Sequence, residues 1–136
     1  VKPQMVDRIM TWEGKFYRGY DSPGKGQVLS TYVSEKMKEV LHGVVTDGTG
    51  RAANSKLYEM CGKTGTAQMV NPKGGYYKNK YNAAFIGFAP KEKPLVSIVV
   101  VAHDPRPVYF GGSVAAPTFK RIAERTLQYL ESGKNE

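Results

Sequence analysis

The chain has 136 residues, with 20 Lys and Arg against 12 Asp and Glu for a formal charge of +8, and a single cysteine. That length suits one domain or part of one, and 40% apolar with 11% aromatic residues is too hydrophobic for a disordered chain. One thiol makes no internal disulfide and no cysteine-based zinc cluster, and the longest apolar run, 95–102, is far short of the roughly 20 residues of a spanning helix.

The cations are spread along the chain, apart from Lys73, Lys78 and Lys80 in an acid-free stretch, so a solvated basic face is expected in preference to a nucleic-acid site. The chain opens on Val1 without an initiator Met, and it is expected to be a piece of something longer.

Residues 4–20 read as two short extended segments around Glu13-Gly14, a hairpin signal, and Asp21 to Gly26 as a loop broken by Pro23 and two glycines. From Ser30 or Thr31 as N-cap, Val33, Met37, Val40, Leu41, Val44 and Val45 fall on one helical face, expected to be dry. That helix should stop near Thr46-Asp47-Gly48-Thr49-Gly50.

Residues 57–69 read as a strand, Lys73-Gly74-Gly75 as a loop, and Asn82 to Ala89 as a second strand. A turn over Pro90 to Pro94 leads into a third strand, Leu95 to Ala102, whose valine and isoleucine density predicts a central position buried on both faces. An amphipathic helix begins near Ser113, with Phe119, Ile122, Ala123, Thr126, Leu127 and Leu130 along one side. Strands joined by so short a turn must be antiparallel, so the expected class is α+β, an antiparallel sheet flanked by helices.

The stretch with most chemical content is Cys61-Gly62-Lys63-Thr64-Gly65-Thr66-Ala67-Gln68. Small residues weaken a strand, so four of them together imply that something approaches its backbone closely. Lys63 supplies a cation, Thr64 and Thr66 share one face by the period-two alternation, and Gly65 removes a side chain between them, the outline of a carboxylate cradle. A free strand edge would also take an extended peptide as an added strand. A bulge or tight bend would explain the same run, and Lys-Thr-Gly alone occurs by chance in about one of sixty chains this long.

With its surroundings the motif resembles the penicillin-binding transpeptidases, most closely the monofunctional class B enzymes of bacterial cell-wall synthesis. Val44-Val45 through Gly48-Thr49-Gly50, Gly62 to Gln68, Ala84 to Pro90, and Gly111-Gly112 with Ala115-Ala116-Pro117 and Phe119 stand in that family's order and approximate spacing. The resemblance implies the C-terminal portion of a transpeptidase domain over 1–136, with 1–27 as hairpin and loop lead-in and 28–136 as a helix, three strands and a C-terminal helix.

It further implies a parent enzyme that cross-links peptidoglycan stem peptides through a serine acyl-enzyme and is inhibited by β-lactams. Lys63 and Thr66 are then the catalytic candidates, the Thr66 backbone N–H being half of an oxyanion hole, with Thr64, Gly65 and Thr66 binding the substrate carboxylate. No metal or cofactor is expected. Expected partners are D-Ala-D-Ala stem peptides, β-lactams, the N-terminal half of the domain and the cell-wall synthesis machinery, at the extracytoplasmic face of a bacterial membrane to which the parent is anchored by an N-terminal helix.

The family's Ser-x-x-Lys nucleophile and Ser-x-Asn motifs are not found in usable form. Ser22-Pro23-Gly24-Lys25 has a Pro-Gly centre that resists the helical turn needed to bring serine and lysine together, and Tyr77-Lys78-Asn79 follows the Lys-Thr-Gly strand where it should precede it. The chain alone is therefore expected not to acylate. Cys61 reads as a packed thiol, His42 as a helix-surface or interface residue, His103 as neither base nor metal ligand, and Tyr76, Tyr77 and Tyr81 as part of a loop beside the site. The rival readings are a β-lactam sensor or serine β-lactamase of the same fold, or a basic nucleic-acid-binding module using the tyrosines.

Overall fold

The computed structural model describes residues 8–19 and 27–133. The chain divides into two units, residues 1–34 and 35–136. In the first, β1 (Arg8–Met10) pairs antiparallel with β2 (Phe16–Gly19). Its turn is closed by the Thr11 N–H on the Lys15 carbonyl at 2.8 Å and the Gly14 N–H on the Thr11 carbonyl at 2.9 Å, with Gly14 at φ +80° where a Cβ would be strained. The expected hairpin is present over its described part; Met5 and Val6, the Asp21 to Gly26 loop, and with it Ser22 and Lys25, lie outside the described residues.

Helix α1 spans Thr31–Thr46. Ser30 is its N-cap, the hydroxyl accepting the Val33 N–H at 3.3 Å. The Gly48 N–H closes the other end on the Gly43 carbonyl at 3.1 Å, at the predicted stop. The dry face is only partly so: Val45 is buried, but Val40 is 60% exposed and Met37 44%. Periodicity identifies the helix and its apolar side, yet burial requires something to lie on that side.

In the second unit β3 (Cys61–Val70), β4 (Tyr76–Ala89) and β5 (Val96–His103) form an antiparallel sheet in the order β3-β4-β5. A 3-10 turn, Arg51–Ala53, precedes it, and α2 (Gly111–Val114) and α3 (Ala116–Ser132) follow. Phe85, Ala89, Ala115, Ala116, Phe119, Ala123 and Leu127 are buried together between the sheet and α3, with the Phe85 and Phe119 rings 4.7 Å apart and tilted by 50°. The architecture is the expected α+β arrangement.

Four boundaries or placements differ from expectation. β3 begins at Cys61 and not at 57, because the Ser55 hydroxyl accepts the Leu57 and Tyr58 N–H groups at 3.0 and 3.4 Å and holds that segment in a bend. β4 begins at Tyr76, so Tyr76, Tyr77 and Tyr81 lie on a strand and not in a loop. The Asn71–Gly75 turn, with Gly74 and Gly75 at φ +104° and +70°, is tight enough for pairing to start beside it.

β5 is an edge strand, with β4 central. Val96, Ile98 and Val100 pack against the core while Val99 and Val101, on the other face, remain 59% and 61% exposed, since no described element lies over that part of the sheet. β-Branched residues therefore announced a strand without fixing its position. Finally, the C-terminal helix is two: α2 ends at Val114, and α3 restarts with Pro117 in its first turn, where proline's missing N–H has no cost.

Candidate active site on the free edge of the sheet

Among the described residues β3 pairs with β4 alone, which leaves its other edge open. The register sets Thr64 opposite Phe85 and Thr66 opposite Ala83, two residues buried on the helix side, whereas Lys63 and Gly65 stand opposite Ile86 and Ala84. Directly opposed residues share a face, so both hydroxyls belong to the α2 side of the sheet. There they line a cavity of about 460 Å³ with Thr49, Arg51, Ala52, Phe110, Gly111, Gly112 and Ser113.

Thr66 Oγ1 accepts the Gly111 N–H at 3.2 Å, so its own proton is free for a ligand. Thr64 Oγ1 accepts from Lys63 Nζ at 3.3 Å and shares a 2.8 Å hydrogen bond with Thr49 Oγ1. When Thr49 donates, the Thr64 oxygen is filled on its acceptor side and its proton also faces outward. Lys63 folds back along its strand, Nζ donating to the Thr64 carbonyl at 3.1 Å as well. Two hydroxyls able to donate, and a cation in reach of one of them, suit an anionic ligand, a carboxylate above all.

Two glycines permit this proximity. A Cβ on Gly111 would collide with the Ala84 carbonyl oxygen and stand 2.6 Å from that of Gly65, and one on Gly112 would collide with the Thr49 carbonyl oxygen. The Gly-Gly pair thus lets α2 press onto the β3–β4 backbone, which brings the Gly111 N–H to Thr66.

The structure sets Thr64 and Thr66 on one wall of the cavity as expected from the alternation of the strand; Lys63 and Gly65 belong to the other face, and Lys63 reaches the site by folding its Nζ back to Thr64. Thr49, Arg51, Phe110 and Ser113 were not singled out in the sequence. Nothing local marks them, since they enter from two other elements through the tertiary fold.

The remaining candidates have other partners. Cys61 is buried, Sγ donating to the Lys38 carbonyl at 3.4 Å, and burial pushes its thiol up to about 11, as befits a packed and unreactive group. His42 Nδ1 lies 2.9 Å from the Met60 carbonyl oxygen, anchoring α1 to the residue before β3, and His103 Nδ1 lies 2.9 Å from Asn82 Oδ1 across the β4–β5 pair. Tyr81 stacks on Tyr109 at 4.2 Å and Lys80 sits 4.7 Å over the Tyr77 ring, so these rings are engaged within the chain. Among the described residues no cluster of three or more His, Cys, Asp or Glu could hold a metal, and no helix is long and apolar enough to cross a membrane.

An antiparallel sheet backed by a helix, with a Lys-Thr-Gly-Thr edge strand facing the two glycines that open α2, is the arrangement to be matched. Residues 1–124 match the penicillin-binding protein transpeptidase domain, and the chain belongs to that family. It is 41% identical over 107 residues to stage V sporulation protein D of Bacillus subtilis, a match covering 78% of this chain and 16% of that protein. It is 36% identical over 130 residues to a probable peptidoglycan D,D-transpeptidase, PenA, of Neisseria flavescens, covering 90% and 32% respectively.

Among solved structures, penicillin-binding protein 3 of Mycobacterium tuberculosis complexed with ampicillin superposes with a TM-score of 0.77 at 29% identity, over 93% of this chain and 30% of that one. The transpeptidase domain of penicillin-binding protein 3 from Burkholderia pseudomallei gives 0.69 at 33% identity, over 85% and 35%. The chain therefore spans between about a sixth and a third of the length of these relatives.

Proposed function

We propose that the protein carrying this chain is a serine-type peptidoglycan D,D-transpeptidase, class B in kind, and that this segment supplies its substrate-carboxylate wall. The observation that carries the reading is the pair of hydroxyls, Thr64 and Thr66, on one wall of the cavity, with Lys63 Nζ bonded to the first and the Gly111 N–H to the second. A D-Ala-D-Ala terminus lying along the free edge of β3 would place its carboxylate on these hydroxyls and its scissile carbonyl toward the Thr66 backbone N–H, the proposed half of the oxyanion hole. Lys63 adds positive field and a proton-relay contact. The attacking serine and its lysine belong to the part of the domain that this chain does not contain. Its tetrahedral intermediate would collapse with loss of D-Ala, and an amine from a second stem peptide would then take the acyl group.

Names of relatives support the synthase over a β-lactam sensor or a serine β-lactamase, since several are called D,D-transpeptidases. Peptidoglycan stem peptides and β-lactams are the proposed ligands, the rest of the domain and the wall-synthesis machinery the proposed partners, and the extracytoplasmic face of the membrane the proposed location. The exposed apolar side of α1 and of the sheet, including Met37, Val40, Ile86, Val99 and Val101, fits burial against the rest of the domain. A fluorescent penicillin tests the assignment. The full-length protein should form a stable covalent adduct while the isolated chain should not; rapid turnover would indicate a β-lactamase, and labelling of the isolated chain would contradict the division of the site.

A further inference from the structure

The cavity holds a cation that the Lys-Thr-Gly motif does not contain. Arg51 opens the 3-10 turn two residues after Thr49, whose hydroxyl bonds Thr64, and it lines the same cavity as Thr64 and Thr66. Its Nη2 donates to the Asp47 carbonyl at 2.9 Å, just beyond α1, which tethers the guanidinium and uses one of its five N–H donors. Among the described residues no carboxylate is paired with it, and no acid lines the cavity. The wall is thus made of hydroxyls, glycine backbone, one alanine, one aromatic residue and one arginine.

We infer that Arg51 is a specificity-determining residue of this site, a second cation that selects ligands carrying a free carboxylate over those in which it is masked as an ester. The inference rests on the transpeptidase reading above and deepens it. A carboxylate on the Thr64 and Thr66 hydroxyls meets positive charge from Lys63 on the strand and from Arg51 on the 3-10 turn. The two act differently: Lys63 is bonded to Thr64 and contributes to the hydroxyl's orientation, whereas Arg51 is tied to a backbone carbonyl and has no carboxylate at ion-pair distance among the described residues. An ester retains the shape and the reactive carbonyl of the ligand but has no charge for Arg51 to attract. Because Arg51 is exposed, its contribution is screened by salt.

The test compares second-order acylation rates of the full-length protein by benzylpenicillin and by its methyl ester, at low and high salt. Arg51→Gln should slow acylation by the acid about tenfold, the scale of one lost charge-assisted hydrogen bond, and leave the ester within about twofold. Arg51→Lys should restore most of the acid rate. The salt dependence of the acid rate should weaken in Arg51→Gln. If acid and ester rates fall together, Arg51 is a structural support of the cavity and the inference is overturned; if neither falls, it is overturned equally. Failure of the unaltered protein to be acylated by either compound would instead remove the transpeptidase reading, and this inference with it.

Discussion

The Gly111 N–H donates to the Thr66 hydroxyl across 45 residues of sequence, at 3.2 Å, and this bond takes up one lone pair of the oxygen without using the threonine proton. The Thr66 proton thus remains available for a ligand in the cavity. Thr66→Val in the full-length protein keeps the shape but removes the donor, and it should lower the rate of β-lactam acylation by about tenfold to a hundredfold. Thr66→Ser should retain most of the rate. Stopped-flow acylation with a chromogenic cephalosporin measures both.

Gly111→Ala should destabilise the fold by about 2 to 4 kcal/mol, because the added methyl meets two carbonyl oxygens of the sheet that have no room to retreat. A suitable comparison is Gly74→Ala in the distal turn. There the φ of +104° is unfavourable for alanine but nothing lies within 4 Å of the new carbon, and the cost should be nearer 1 kcal/mol. Urea unfolding midpoints at fixed slope distinguish the two, and equal losses would contradict the close approach of α2.

Phe119 fills the space between α3 and the sheet against Phe85. Phe119→Ala should cost about 3 to 5 kcal/mol, and Phe119→Leu about half of that or less. For a unit this small, the first substitution should leave little cooperative thermal transition, as read by near-ultraviolet circular dichroism.

Cys61 supplies a pH signature. Its thiol is raised to about 11 in the folded chain from the ordinary 9, so the folded state holds the proton more firmly. The associated stability is fully present below pH 9 and is lost as the pH climbs from 9 through about 11, where the unfolded thiol ionises first. Cys61→Ala should reduce the fall in stability over that window. At pH 8 native Cys61 should resist iodoacetamide, and denaturant should expose it.

The isolated chain should self-associate, since Ile86, Val99 and Val101 leave a contiguous β-branched strip on the uncovered sheet face. Val99→Thr with Val101→Thr should lower the apparent mass in light scattering without lowering the melting temperature appreciably. Unchanged association would place the contact elsewhere.

The sheet, the long helix α1 and the Lys-Thr-Gly strand could be read from local patterns, because period-two and period-3.6 spacing and an N-cap serine act over a few residues. Position within the sheet could not, and β5 shows why. Its valines are equally suited to a strand covered on both faces and to one covered on a single face, and only the placement of α3 settles which. The site divides similarly. Lys63, Thr64 and Thr66 are contiguous and visible as a set, while Thr49 and Arg51 reach the cavity through the turn after α1, and Gly111 through the close packing of α2. Ser55 is a third case, a single hydroxyl whose bonds to Leu57 and Tyr58 delay the strand by four residues.

Pairing between β3 and β4 runs unbroken from Cys61–Phe88 to Gln68–Tyr81, and its register shifts only between Gln68 and Val70, past the last motif residue. Which side chains of the motif meet a ligand is a matter of parity, odd against even. The irregularity therefore works as a slip joint. Lengthening the Asn71–Gly75 turn by one residue could be absorbed distally, with Thr64 and Thr66 keeping their face, whereas one residue inserted between Gly62 and Lys63 would turn both hydroxyls to the opposite side. Variation in the outer arm of this hairpin is thereby uncoupled from the chemistry at its base.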